Sequence, residues 1–177
     1  MRITVIRHAK VNYIFPKKCG PEGALHAFSQ YDRAPIIEKD IDPIQTQDNI
    51  FVSTLERSKR TAELIFGKRS FVRSSLFNEV KITPFTRRNV RLHSYTWDVV
   101  GRLCWLFRKG GQLEYRKETR KRADQAIDLI ESYGDDAYVI SHAFFMHTLF
   151  RQLKKRGYKG PPRGFHIKNL QSYEYIK

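Results

Sequence analysis

Arg7 and His8 form an adjacent pair of a fixed cation and an imidazole, and three more residues of this chain could work with them: Arg57, Glu79 and His142. An imidazole near pH 7 can act as a neutral nucleophile or as a protonated acid. Two guanidinium groups can hold the oxygens of a tetrahedral anion bidentately. With one histidine attacking phosphorus, the second adds positive charge beside the equatorial oxygens. Glu79 lies among Leu76, Phe77, Val80 and Ile82, where partial burial favours a carboxylic acid able to protonate a leaving oxygen. These are the groups that phosphoryl transfer needs without a metal, because that reaction depends mainly on positioning and charge stabilisation. No paired carboxylates at ligand spacing call for Mg²⁺, and no metal or cofactor is expected.

Positioning such groups requires strand ends. Residues 3–6, Ile-Thr-Val-Ile, are largely β-branched and read as a buried strand that delivers Arg7 and His8 at its carboxyl end. In open α/β sheets ligands bind just beyond those ends. Ile-Phe-Val at 50–52 reads as a second strand. Ser53 and Glu56 then have capping-box spacing, so a helix is expected to run to Gly67, with Arg57 in its first turn and Ser58, Thr61, Ala62 and Ile65 inward. Residues 71–76 read as a third strand and 137–140 as a fourth, the latter ending in Ser141-His142 at the start of another helix. Further helices are expected near 22–32 (apolar side Ala24, Leu25, Phe28, Tyr31), 92–108 (Trp97, Val100, Leu103, Cys104, Phe107) and 113–133. A Pro/Gly loop over 157–164 leads to an edge strand at 170–176. His26, His93, His147 and His166 have no comparable placement and read as structural or surface residues.

A length of 177 residues favours a single domain with its own core, as does 41% hydrophobic content. No apolar run approaches the roughly 20 residues that span a bilayer, and no secretory signal pattern opens the chain. Cys19 and Cys104 lack metal-ligand spacing and read as reduced thiols of a cytoplasmic protein. The net charge of +15 predicts attraction to anions, whether phosphorylated metabolites, nucleic acid or an acidic surface. Much of the excess lies at 116–122 and 151–156 on expected helices, where it reads as a solvated face. Charge alone also allows a non-catalytic basic protein that binds nucleic acid or an acidic partner, but no recognisable nucleic-acid motif supports that alternative.

Four stretches in order, Ile-Arg7-His8-Ala-Lys, Val-Ser-Thr-Leu-Glu-Arg57-Ser-Lys-Arg-Thr-Ala-Glu-Leu, Phe-Asn-Glu79-Val and Val-Ile-Ser-His142-Ala, resemble the histidine phosphatase superfamily, the phosphoglycerate mutase-like proteins. The resemblance implies a three-layer α/β/α sandwich with a mainly parallel sheet and an antiparallel edge strand. It implies a phosphatase that hydrolyses a small phosphomonoester, or a related mutase. His8 would be the nucleophile that carries a phosphohistidine, and Glu79 the proton donor and later the base. Arg7, Arg57 and His142, joined by the amide of Ala143, would form the phosphate pocket. Asn12 matches a polar pocket position loosely. Ala9 stands where the family usually has Gly, and Lys10 replaces a residue that is often acidic or amide, which places another cation near the pocket mouth. Segments 10–48 and 83–111 match the family poorly and read as inserts that shape specificity.

Overall fold

The computed structural model describes residues 1–162 and 166–177. In chain order the elements are β1 (Arg2–Arg7), β2 (Lys18–Cys19), α1 (Pro21–Arg33), β3 (Asn49–Val52), α2 (Glu56–Phe66) and β4 (Val72–Arg73). A 3₁₀ turn at Ser75–Phe77 and β5 (Leu92–His93) precede α3 (Ser94–Phe107) and α4 (Arg116–Glu131). The chain closes with β6 (Ala137–Ser141), α5 (Ala143–Lys155) and β7 (Ser172–Ile176). Of the expected 157–164 loop, residues 163 and 164 lie outside the described residues.

The main sheet has the order β4-β3-β6-β1-β7. It is parallel except for β7, which runs antiparallel to β1 at one edge. Side chains alternate across each strand. Ile3, Val5, Phe51 and Val139 therefore join Ala126, Ile127, Ile130, Met146 and Leu149 of α4 and α5 in one core. Ile6, Ile50, Val52 and Ile140 face the other way, against Ala62, Ile65 and Phe66 of α2. Helices thus cover both faces of the sheet, the α/β/α sandwich expected. Among the described residues, no helix is long and apolar enough to cross a membrane.

Three local expectations need correction. The third strand is only two residues long, because the chain turns into the 3₁₀ segment when the Ser74 side chain accepts from the Leu76 amide. Helix α3 buries Ser94, Trp97, Gly101 and Trp105, while Leu103 and Phe107 are exposed. The two indoles set that face, since Trp97 Nε1 donates to the Cys19 carbonyl at 3.0 Å and Trp105 Nε1 to Thr119 Oγ1 at 2.9 Å. Helix α2 starts two residues later than a Ser53 cap would place it: its N-cap is Leu55, with no side-chain cap.

The two poorly matching segments fold against each other. β2 pairs antiparallel with β5 as a separate two-stranded sheet. Beside it Cys19, Ala24 and Trp97 form a small core, with Phe28, Phe85 and Leu92 packed on it. This unit sits over the carboxyl ends of β1, β3 and β6.

Candidate active site

The carboxyl ends of β1, β3 and β6 are tied side by side, with the His8 amide donating to the Ser141 carbonyl (3.0 Å) and the Ser53 amide to the Ile140 carbonyl (3.3 Å). Arg7 and His8 leave β1 there, Ser53 leaves β3, and His142 leaves β6 as the N-cap of α5. The rings of His8 and His142 come to 4.9 Å between centroids. Of the predicted residues, the structure brings Arg7, His8, Arg57, Glu79 and Ala143 to the wall of one cavity of about 800 Å³. His142 is fully buried directly behind His8.

His8 is held on three sides. Its Nδ1 lies 2.7 Å from the carbonyl of Ala9, which can only accept, so Nδ1 carries the proton and the lone pair is on Nε2. Asn169 Nδ2 donates to the His8 carbonyl at 2.7 Å. The Ala9 amide donates to Thr61 Oγ1 (2.9 Å), whose hydroxyl donates in turn to the Arg57 carbonyl (2.6 Å), locking the turn after β1 onto α2. Burial, reinforced by Arg57 and Arg7, pushes the His8 pKa down from 6.5 to about 3, although the bond to Ala9 opposes the shift.

Arg57 is 2% exposed and points back from the first turn of α2, as helical side chains lean. Its Nη1 meets Asp32 Oδ1 at 2.7 Å, and its guanidinium carbon lies 5.1 Å from the centre of the Tyr31 ring. Its Nε donates to His142 Nδ1 at 3.2 Å. That bond makes Nδ1 an acceptor and puts the His142 proton on Nε2, which donates to Ser53 Oγ at 2.7 Å. The Ser53 hydroxyl then donates to Ser58 Oγ at 3.0 Å. Burial, then His8 and Arg57, lower the His142 pKa well below its ordinary value. His142 is therefore neutral in this structure and occupied at both nitrogens, and the positive charge expected of it comes from the Arg57 it orients.

Glu79 reaches the cavity from the loop after the 3₁₀ turn. Ser141 Oγ donates to the Phe77 carbonyl (2.7 Å), and Arg122 Nη1 donates to the carbonyls of Leu76 (3.0 Å) and Asn78 (2.7 Å). Phe77 and Val80 turn into the core and leave Glu79 half-buried, so the apolar setting read from its neighbours is not what it meets. Its Oε1 accepts from the amides of Val80 (3.0 Å) and Phe145 (2.9 Å), and its Oε2 from Phe144 (3.2 Å). The carboxylate thus caps the N-terminus of α5. The neighbouring Ala143 amide, at the first helical position, is one of those an α-helix leaves without an internal partner.

Lys10 and Asn12 are exposed and do not line the cavity. The Lys10 carbonyl accepts from the Ile37 amide and the Asn12 amide donates to Pro35, and this bridge leads the chain away from the pocket. Leu25, Phe28 and Tyr31, expected as the inward side of a helix, line the cavity, while Ala24 and Ala27 form the buried side of α1. His93 also lines the cavity, and its Nδ1 accepts from the Tyr95 amide at the start of α3. Sequence reasoning placed Ser58 and Thr61 on the inward face of α2 without their bonds. It missed Asp32 and Asn169, which reach the site from segments far away in the chain, and it read Ser53 as a cap.

The profile of the histidine phosphatase superfamily (branch 1) matches residues 40–175, a stretch that includes Arg57, Glu79 and His142. No curated protein matches the sequence. Among solved structures, the chain is similar to phosphoserine phosphatase of Entamoeba histolytica in complex with phosphoserine (16% identity, TM-score 0.57, covering 99% of this chain and 90% of that one). It is similar to the α-ribazole phosphatase of Shigella flexneri (18% identity, TM-score 0.52, 86% and 79% covered). It is also similar to a mycobacterial glucosyl-3-phosphoglycerate phosphatase (16% identity, TM-score 0.52, 87% and 79% covered). At these identities the likeness is one of fold, and the profile supplies the family: this chain belongs to the histidine phosphatase superfamily, branch 1.

Proposed function

We propose that this chain is a phosphatase that hydrolyses a phosphomonoester through a phosphohistidine on Nε2 of His8. The observation that carries this reading is the bond from His8 Nδ1 to the Ala9 carbonyl. It fixes the tautomer and leaves the nucleophilic lone pair on Nε2, in a wall shared with Arg7 and Arg57. In the first step the Nε2 lone pair forms the N–P bond, and the P–O bond to the leaving group breaks. A proton brought in with the substrate passes by way of Glu79 to the departing oxygen. In the second step water attacks phosphorus and gives its proton to the Glu79 carboxylate. The N–P bond breaks and returns the lone pair to Nε2. Arg7, Arg57 and the Ala143 amide hold the phosphoryl oxygens, whose charge changes little while their geometry inverts, so fixed donors act throughout. His142 serves by orienting Arg57.

Wild-type protein is expected to release inorganic phosphate from phenyl phosphate and to carry a phosphoryl label when quenched in alkali, where phosphohistidine survives. His8→Ala should lose both. Equal phosphate release by His8→Ala and wild type would refute the mechanism. Conversion of the substrate into a phosphate isomer, without release, would identify a mutase.

A further inference from the structure

Large apolar side chains ring the mouth of the cavity and stay open to solvent. Leu113, between α3 and α4, is 72% exposed, and Tyr95, in the first turn of α3, is 70% exposed. Phe15, from the loop before β2, and Leu25, from α1, join them at the same opening. Ile14, next to Phe15 in the chain, is 92% exposed. The Phe15 ring is held by its neighbours, edge-on to Tyr13 at 4.9 Å and tilted against Tyr31 at 5.4 Å. Single exposed apolar residues are ordinary on a protein surface, but several of this size around one opening mark a contact surface.

Cations stand among these residues. Lys17 and Lys81 are exposed and line the same cavity, and Lys18 pairs in register with His93, which also lines it. Arg87 shares a neighbouring cavity with Leu25. The acids of the main cavity wall are engaged, Asp32 by Arg57, Asp98 by Arg102 and Glu79 by three amides, and Glu22 is the exposed acid of the neighbouring cavity. The rim is therefore apolar and basic at once. A second copy of this chain suits it poorly, because each copy carries a net charge of +15. Nucleic acid would meet the cations, but the aliphatic tips of Ile14, Leu25 and Leu113 offer no ring for bases to stack on. A folded acidic protein would have to pack densely on side chains that surround a hole. A lipid interface is fluid, closes around separate tips and supplies anionic headgroups for the lysines and arginines between them.

We propose that the rim of the cavity docks on an anionic lipid surface, with Ile14, Tyr95 and Leu113 entering the headgroup layer and the neighbouring cations facing acidic headgroups, so that the cavity opens toward the bilayer. The contact is peripheral, since among the described residues no helix is long and apolar enough to cross. The docking follows from the rim alone and holds whether or not His8 forms a phosphohistidine.

Co-sedimentation tests it, with vesicles of phosphatidylcholine alone and vesicles in which about a third of the lipid is phosphatidylserine. Wild type should bind the mixed vesicles about tenfold or more tighter than the neutral ones, since each lysine or arginine near such a surface contributes about fivefold. The double change Ile14→Ser, Leu113→Ser should weaken that binding about tenfold, because both side chains lose apolar burial. Phe107→Ser, at a comparably exposed position on α3 that lines neither cavity, should leave it unchanged. Orientation is read with brominated lipid on the mixed vesicles. It should quench the added fluorescence of Tyr95→Trp and not that of Phe107→Trp, with wild type, whose two tryptophans are buried, as the background. Circular dichroism checks that each variant folds, and the wild-type comparison needs no variant. The proposal is overturned if wild type does not sediment with the mixed vesicles, as an acidic protein or nucleic acid partner would imply, or binds both kinds of vesicle alike. Binding by the double variant as tight as that of wild type, or quenching at Phe107→Trp equal to that at Tyr95→Trp, overturns it as well. A wild-type dimer that the double change dissolves would assign the rim to a second copy and overturn it too. Turnover of phenyl phosphate and its loss in His8→Ala report on the phosphatase reading separately.

Discussion

His8 must be both buried and neutral to act as a nucleophile, and its surroundings enforce this. Burial and the two arginines bring its pKa to about 3, against 6.5 for an ordinary histidine. Between those values the unfolded chain binds a proton that the folded chain does not. Stability therefore rises with pH across this window, is complete above about 6.5, and is lost as pH falls toward 3. His142, also lowered, acts in the same direction. One such group contributes a slope of up to about 1.4 kcal/mol per pH unit inside the window. Urea unfolding at pH 7, 6 and 5 should show wild type losing stability faster than His8→Asn, whose side-chain amide keeps a donor for the Ala9 carbonyl. Parallel losses in the two proteins would mean that His8 is not held neutral. The tautomer has a second consequence next door. Ser53 Oγ accepts from His142 Nε2 at 2.7 Å, so Ser53→Ala leaves that buried donor only the longer contact to Ser58 Oγ at 3.2 Å and loosens the ring that orients Arg57. We expect kcat/KM to fall several-fold, with stability reduced by about 1 kcal/mol. Unchanged kcat/KM in a folded Ser53→Ala protein would remove Ser53 from the site.

At the scale of elements, the junction of α4, α5 and the Glu79 loop separates charged residues that look alike in sequence. The basic start of α4 reads as one solvated face, yet Arg122 stands apart from its neighbours. It is paired with Glu114 at 2.7 Å, lies 4.3 Å over the Phe145 ring and holds the carbonyls of Leu76 and Asn78. Arg122→Met keeps much of the packing but leaves the carbonyls of Leu76 and Asn78 without this donor and Glu114 with only the Thr119 hydroxyl. It should cost about 2 kcal/mol in urea unfolding, against less than about 0.5 for the exposed Lys117→Ala. Equal effects would mean that the loop does not depend on Arg122. The same contrast explains what was legible in advance. β1, β3, β6, α2 and α5 follow local periodicity, and the strand ends they create put His8, Arg57 and His142 together. The small unit formed by the two inserts did not follow, because Lys18 pairs with His93 and Cys19 with Leu92, each more than seventy residues away. Nor did the face of α3, where apolar residues on several sides leave the choice to partners such as Cys19 and Thr119. Glu79 was found as a carboxylate among apolar residues, but the amides it caps belong to a helix more than sixty residues later.

Over the whole molecule, a net charge of +15 surrounds a cavity whose acids are already paired. Segment 81–111, which supplies part of the cavity wall, carries seven lysines and arginines against Asp98 alone. A field of that sign lowers the work of bringing a phosphate dianion to the entrance, whether encounter or chemistry limits turnover, because kcat/KM includes that work in either case. Salt removes the contribution of distant charges first: the screening length is about 30 Å at 0.01 M and about 8 Å at 0.15 M. Arg57, buried at the phosphate end, is screened much less than the exposed Arg87, Arg88 and Arg91. We therefore expect kcat/KM for phenyl phosphate to fall several-fold between 0.01 and 0.15 M KCl. The triple change Arg87→Gln, Arg88→Gln, Arg91→Gln should start lower and depend less on salt, with kcat at saturation unchanged. If kcat/KM is the same at both salt concentrations, the excess charge does not serve the substrate of this cavity and must be explained by another partner.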